Sequence, residues 1–270
     1  MLVPVDGSDL AERALAPGAW VAGRLGAELH HVAARVSRDE RWWYEGYTAR
    51  LAARYPGSTA HLSDARDVAG AILATARELG PCLVCLGTHG RSRRVALMGS
   101  TFAAVAARGE APLLTVGPRA VPHTDEEAAR IVVCLDGRSV AERALPLAAA
   151  WARRLDMRIS LVTASDSILV ADEDLTGEVR YGATGDPGGY LDELKSRPVL
   201  SGLEVDAVVL WAVGSPHVAI GEALDKHPAA LVVTTSHARR GLARAALGSE
   251  AASIVRRSPA PVLVQPASRG

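Results

Sequence analysis

Pro81-Cys82-Leu83-Val84-Cys85-Leu86-Gly87-Thr88-His89-Gly90 is the stretch that decides the fold. An apolar run of strand length, with no polar alternation, passes directly into a glycine-rich turn. That pattern fits a strand covered on both faces, and Leu231-Val232-Val233 repeats it later in the chain. Around the first run, short apolar segments at 2–6, 27–33, 58–63, 82–87 and 112–116 read as strands. Amphipathic segments at 9–24, 65–79 and 100–108 read as helices, with 39–55 a less periodic helical candidate. Strand and helix in repeated alternation predict an open parallel α/β sheet. Such sheets bind ligands beyond the carboxyl ends of their strands, where strand order reverses. Attention therefore falls on Asp6, on the residues after Ala33 and on the loop that begins at Gly87.

The chain repeats itself. Val5-Asp6-Gly7-Ser8-Asp9-Leu10-Ala11-Glu12-Arg13-Ala14-Leu15 matches Leu135-Asp136-Gly137-Arg138-Ser139-Val140-Ala141-Glu142-Arg143-Ala144-Leu145 at an offset of 130. Toward the ends of the copies, Gly99-Ser100 matches Gly248-Ser249 and Ala111-Pro112-Leu113-Leu114 matches Ala260-Pro261-Val262-Leu263, both at an offset of 149. The growth in offset places about nineteen extra residues in the middle of the second copy, mostly in the acidic, glycine-rich stretch 171–189, which reads as a mobile loop. A domain-sized period means a duplicated domain, not a solenoid. We expect a first domain at 1–118, a linker at 119–129 rich in Pro and acidic residues, and a second domain at 130–270.

Composition narrows the classes further. Of 270 residues, 49% are apolar and 22% charged, as in ordinary globular chains. Lys+Arg and Asp+Glu number 30 each, so no basic excess favours a nucleic-acid partner. The cysteines are only Cys82, Cys85 and Cys134, too few and odd in number for a disulfide framework. Cys82 and Cys85 sit at i and i+3 of an apolar strand, on opposite sides, and read as buried strand residues, not a redox or metal pair. Neither a charged leader nor an apolar stretch of the ~18 residues that span a bilayer is visible, so no membrane partner is expected and the protein reads as cytoplasmic.

The loop after Gly87 carries the chemistry. Gly87-Thr88-His89-Gly90 is followed, after Arg91 to Met98, by Gly99-Ser100-Thr101. Glycines let backbone amides approach phosphate oxygens closely. Gly99 and Ser100 open a helix, whose free N–H groups and dipole favour an anion. Asp6 ends the first strand, where a carboxylate accepts from a ribose hydroxyl or an adenine amino group. The loop is neither a Walker A sequence nor the dinucleotide fingerprint. By spacing alone, a nucleotide cradle and a plain strand-to-helix turn are both open.

Taken together these residues resemble the universal stress protein family: Gly-x-x-Gly at 87–90, then Gly99-Ser100, the strand-end aspartate in Val5-Asp6-Gly7-Ser8, and the terminal runs from Ala111 and Ala260. The resemblance covers nearly the whole chain as two tandem copies. It implies an α/β fold of two tandem open five-stranded parallel sheets flanked by helices, like the adenine nucleotide α-hydrolases. It further implies an adenine nucleotide, ATP with Mg²⁺, between strands one and four, and pairing of copies through their last strands within the chain or in a homodimer. Carried over, Asp6 contacts the adenosine and Val32 meets the adenine through its backbone. Gly87, His89 and Gly90 lie under the phosphates, and Gly99, Ser100 and Thr101 hold the outer ones. The matching positions in the second copy are Asp136, Val162, Thr235, Ala238, Gly248 and Ser249. The implied role is a stress-response or signalling binding protein with at most slow ATP hydrolysis, not a fast enzyme.

Both copies depart from the family pattern. The first has eight residues before Gly99 where nine are usual, and Ser63-Asp64-Ala65 where the second keeps Gly214-Ser215-Pro216. The second has nine but replaces Gly-x-x-Gly by Thr235-Ser236-His237-Ala238. A φ above zero at Thr235 or Ala238 costs roughly 1–2 kcal/mol, whereas a loop absorbs a one-residue deletion near Arg91-Ser92-Arg93-Arg94, whose arginines can help hold phosphate. The first copy is therefore expected to be the better site. The rival reading is a scaffold or signalling protein with two degenerate sites that bind no nucleotide. A hydrolase of the related folds calls for His-x-Gly-His or Ser-Gly-Gly-x-Asp-Ser, and neither occurs.

The remaining prominent residues have plainer readings. His89 and His237 share a motif position and read as loop support. His30-His31 point to opposite faces of a strand, which argues against a metal site. Trp42-Trp43-Tyr44 with Tyr47 and Tyr55 read either as packing over the sheet edge or as a lid or partner surface. Arg239-Arg240, Arg244 and Arg256-Arg257 read as a solvated face.

Overall fold

The computed structural model describes residues 1–34, 36–80, 82–88, 99–108, 111–121, 129–166, 186–212, 215–236 and 247–266. The chain divides into two units, the first running from Met1 to Pro118 and the second beginning at Arg119. In the first, β1 (Leu2–Pro4), α1 (Asp9–Glu12), α2 (Leu15–Leu25), β2 (His30–Ala33), α3 (Arg41–Arg54), β3 (Thr59–Leu62), α4 (Val68–Glu78), β4 (Val84–Gly87), α5 (Ser100–Arg108) and β5 (Leu113–Val116) follow one another. In the second the sequence is β6 (Arg130–Leu135), α6 (Ser139–Glu142), α7 (Ala144–Leu155), β7 (Arg158–Asp166), α8 (Pro187–Lys195), β8 (Val205–Ala212), α9 (Pro216–Lys226), β9 (Leu231–Ser236), α10 (Ser249–Arg257) and β10 (Val262–Pro266).

Within the first unit the strands lie in the order β3-β2-β1-β4-β5, and every pairing is parallel. Within the second the order is β8-β7-β6-β9-β10, again all parallel. The fold class is thus α/β, five parallel strands with helices in each copy. In both units the chain first winds outward from the opening strand and then returns to its other side. That reversal creates a switch point between β1 and β4, and between β6 and β9. The apolar strand residues are buried as their lack of alternation requires: Leu2, Val3, Cys85 and Leu114 in one unit, Ile131, Val133, Val232 and Val233 in the other.

The helix expected at 9–24 is two helices. Pro17 lacks the N–H that would bond to Arg13, and its ring crowds that carbonyl, so one helix cannot run through 13–17. The proline is accommodated as the third residue of α2, and Pro146 sits likewise in α7. Gly18 lets α2 press onto the sheet: a Cβ there would lie 2.8 Å from Val3 Cγ2. Cys85 is buried, with its Sγ 3.4 Å from the Ala14 carbonyl, and burial pushes its thiol pKa up. Cys82 precedes β4 and is half-buried. Residues 119–121, expected to open a linker, are tied to the second unit: Arg119 donates to both Asp225 oxygens at 2.9 and 3.0 Å, and the Val121 amide donates to Pro259 O at 2.8 Å. Among the described residues no helix is long and apolar enough to cross a membrane.

Candidate functional site

The corner beyond β1 is built from four residues. The Val5 amide continues the ladder to Val32 O at 2.9 Å, and Gly7, at φ 78°, then turns the chain away from the sheet. Ser8 caps α1, its Oγ accepting from the Ala11 amide at 3.2 Å. The same Ser8 donates twice to Asp6 Oδ1, from its amide at 3.0 Å and its hydroxyl at 2.5 Å. Asp6 is therefore oriented before any ligand arrives.

The opposite wall comes from β4 and α5. Gly87 is the last residue of β4, in register with Val116. The Thr88 amide donates to Val116 O at 3.1 Å, and the Gly99 amide donates to Thr88 O at 2.8 Å, so the chain leaves and re-enters the site at one pinned point. The Gly99 carbonyl accepts from Ala103, which starts α5 at Ser100. The first amides of that helix have no intrahelical partner and carry the positive end of its dipole.

Between these walls lies a cavity of about 550 Å³, within the roughly 300–1,000 Å³ common for small-ligand pockets. Asp6, Val32, Gly87, Gly99, Ser100 and Thr101, all singled out from sequence, line it. Val32, expected to meet a base through its backbone, lines the cavity, and its carbonyl accepts from the Val5 amide in the ladder. His89, Gly90 and the arginines at 91–94 lie outside the described residues. Among the lining residues that sequence reasoning missed are Glu40, Val68, Ile72 and Phe102. The apolar ones belong to faces of α4 and α5 that periodicity assigns only to the core. Glu40, held by the Ser37 hydroxyl at 2.7 Å, begins α3 and shows no sequence signal.

Helix α3 carries most of the aromatic cluster. Trp43 stacks on Tyr47 at 5.3 Å and meets Tyr44 edge-on at 4.8 Å. Trp43 also covers Gly7, where a Cβ would lie 2.3 Å from its ring, and Tyr44 lines the cavity. Trp42 is 73% exposed, and Tyr55 packs against His31. Burial, then the Glu12 carboxylate, then Asp6 hold the Tyr47 phenol above its ordinary pKa.

In the second unit, Asp136 and Val162 occupy the same places: Asp136 Oδ1 accepts from the Arg138 amide at 3.1 Å, Gly137 has φ 78°, and Val162 pairs with Cys134. Gly248 caps α10 and Ser249 begins it. Thr235 is a buried residue of β9 in register with Gln265. Among described non-glycine residues only Asp156 has a positive φ. The backbone strain that a positive φ would bring at Thr235 is thus absent: the position is extended, as it is at Gly87, and suits a β-branched residue. Gly214, His237 and Ala238 lie outside the described residues, as do 171–185 and Arg239, Arg240 and Arg244. The first turn of α10 also carries Glu250 where α5 has Thr101.

His30 and His31 have separate surroundings. His30 contacts Glu28 at 3.2 Å and His61 at 3.2 Å; His31 contacts Ser58 Oγ at 3.0 Å. Burial first, then His30 and His61, lower the His31 pKa to about 4.

A parallel sheet wound both ways from its first strand, with a cavity at the switch point between a strand-end aspartate and a helix N-terminus, defines a doubly wound α/β domain. The chain belongs to the universal stress protein family, whose model matches residues 1–117 and again 128–266. Its fold is similar to that of a universal stress protein from Archaeoglobus fulgidus DSM 4304, with TM-score 0.65 and 19% identity over 99% of this chain and 98% of that one. A functionally unknown protein from Pseudomonas aeruginosa PAO1 is similar at TM-score 0.61 and 18% identity, over 98% of this chain and 92% of that one. No curated protein matches the chain by sequence.

Proposed function

We propose that the first unit binds an adenine nucleotide, ATP with Mg²⁺, and that the protein acts through this binding in a cytoplasmic stress response or signal and not through rapid turnover. The observation that carries the reading is the cavity at the β1/β4 switch point, lined together by Asp6, Gly87 and Gly99-Ser100-Thr101. Its parts suit the ligand. Val32, Val68, Ile72 and Tyr44 offer an apolar slot for a base. Asp6, fixed by Ser8, accepts from ribose hydroxyls, and the first amides of α5 receive phosphate oxygens. The hydroxyls of Ser100 and Thr101 are hard oxygen donors of the kind Mg²⁺ takes beside phosphates. The ion's contribution is to neutralise phosphate charge.

Calorimetric titration of Mg-ATP into nucleotide-stripped protein tests the reading. One bound equivalent is expected, weakened in Asp6→Ala and unchanged in Asp136→Ala. No heat and no thermal shift at millimolar ATP would leave a scaffold with two degenerate sites.

A further inference from the structure

Helices α5 and α10 both begin Gly-Ser and diverge at the next residue, Thr101 in one and Glu250 in the other. No acidic residue occupies the first turn of α5, whereas Glu250 is the acid of the first turn of α10. The carboxylate does not simply hang in solvent. Its Oε2 lies 3.3 Å from Nδ1 of His217, in the first turn of α9. His217 follows Pro216, which opens α9 as Val68 opens α4. In the first unit, Val68 and Thr101 both line the cavity. The pair in the second unit therefore joins the two helix N-termini whose counterparts border the cavity of the first. Only 19% of the His217 side chain is exposed, against 59% for Glu250, so the imidazole anchors the carboxylate from the protein side.

A helix N-terminus attracts negative charge through its free amides and dipole. In the first unit no acidic side chain stands in that first turn; in the second Glu250 does. A phosphate arriving at α10 would meet a like charge a few ångströms away, and moving Glu250 aside breaks its contact with His217. We propose that Glu250, seated on His217, fills the anion position of the second unit and is the specificity-determining residue that makes this copy reject polyphosphate. The proposal rests on the nucleotide reading of the first unit and locates the asymmetry in charge, since Thr235 carries no backbone strain.

Exchanging the two residues tests it, with Mg-ATP stoichiometry read by calorimetry and folding checked by thermal unfolding. Wild type is expected to bind one equivalent, Thr101→Glu none and Glu250→Thr two, with the new site at least tenfold tighter than the wild-type second unit. Glu250→Gln, which keeps shape and removes charge, is expected to gain the site as well. The Thr101→Glu/Glu250→Thr protein should again bind one equivalent, now in the second unit. Two equivalents in wild type, or no gain in either Glu250 variant, would overturn the proposal. A wild type that binds none while Glu250→Thr binds one would instead overturn the reading of the first unit and leave this proposal standing.

Discussion

Asp6-Gly7-Ser8 and Asp136-Gly137-Arg138 make the same turn in the two units. Both glycines have φ 78°, and both carboxylates accept the amide two residues on. The third side chain differs: Ser8 adds a second bond to Asp6 and caps α1, while Arg138 makes no side-chain cap. Thr101 and Glu250 part in the same manner at a shared helix start, as do Glu12, which faces Tyr47, and Glu142, which pairs with Arg197. A frame of parallel strands needs a left-handed glycine, apolar strand cores and a proline placed where helices break. It does not need any particular side chain at the mouth of the cavity, so those positions were free to diverge after duplication.

The largest effect is expected at Gly7. Alanine there takes on a left-handed backbone, roughly 1–2 kcal/mol, and drives its Cβ into the Trp43 ring. Trp43 must then leave its stack on Tyr47. We expect a loss of about 3 kcal/mol or more in the first unit by denaturant titration, with weakened ligand binding. Gly137→Ala carries the backbone strain alone as its known cost. Equal losses at the two positions would show that Trp43 yields freely and has no part in shaping the Asp6 turn.

A second contrast lies under the helices. Arg197 Nη2 donates to Glu142 Oε2 at 2.8 Å, and the Glu142 side chain is only 7% exposed. Removing the cation takes the ion pair from a buried carboxylate, and the penalty for breaking such pairs runs to about 3–5 kcal/mol when both groups are fully buried. Arg197 is 30% exposed, so water recovers part of it. Arg197→Met is expected to destabilise the second unit by about 2 kcal/mol and leave the first unchanged. A loss shared by both units would mean that they do not unfold independently.

The sheet was readable because strands buried on both faces must be continuously apolar, and every expected strand forms within two or three residues of its expected position. The helix at 9–24 was misread although its signal was present: Pro17 cannot accept a place in mid-helix, and only its tolerance in a first turn hides the break. At the cavity, Asp6, Gly87 and Gly99-Ser100-Thr101 were legible because backbone turns and helix starts are local. Val68 and Ile72 were not, since which face of α4 meets the cavity depends on how the helix docks. Glu250 stood in plain view as a mismatch to Thr101, and its meaning required His217, 33 residues away in sequence, to be placed beside it.

The aspartates compare the sites directly. Asp6→Ala removes the ribose acceptor and releases Ser8, and a fall in ATP affinity of about 10–100-fold is expected, equivalent to about 1.4–2.7 kcal/mol. Asp136→Ala is expected to leave affinity and stoichiometry unchanged. If Asp136→Ala weakens binding as much as Asp6→Ala, the nucleotide reading must be extended to both copies.

The smallest expected effect separates the units by acid. His30-His31 in the first unit correspond to Ser160-Leu161 in the second, so among the described residues the buried imidazoles belong to one copy. His31 Nδ1 is buried with no hydrogen-bond partner, Nε2 meets Ser58, Tyr55 packs against the ring, and His30 and His61 act on it electrostatically. Burial also lowers the His61 pKa, with His30 adding to the shift and Glu78 opposing it. The sign follows from linkage. Above about pH 6.5 the His31 ring is neutral folded or unfolded and contributes nothing to the pH dependence. As pH falls from there toward about 4, the unfolded chain takes a proton that the folded unit refuses, so folded stability declines and the decline ends below the folded pKa. At pH 5.5 the loss from His31 is on the order of 1 kcal/mol. Hydrogen exchange followed peptide by peptide should show protection falling faster with acid in the first unit than in the second. His31→Leu, which installs the side chain of the second copy, should flatten the slope of the first unit. An unchanged slope in that variant would move the acid sensitivity from His31 to His61, whose pKa burial also lowers.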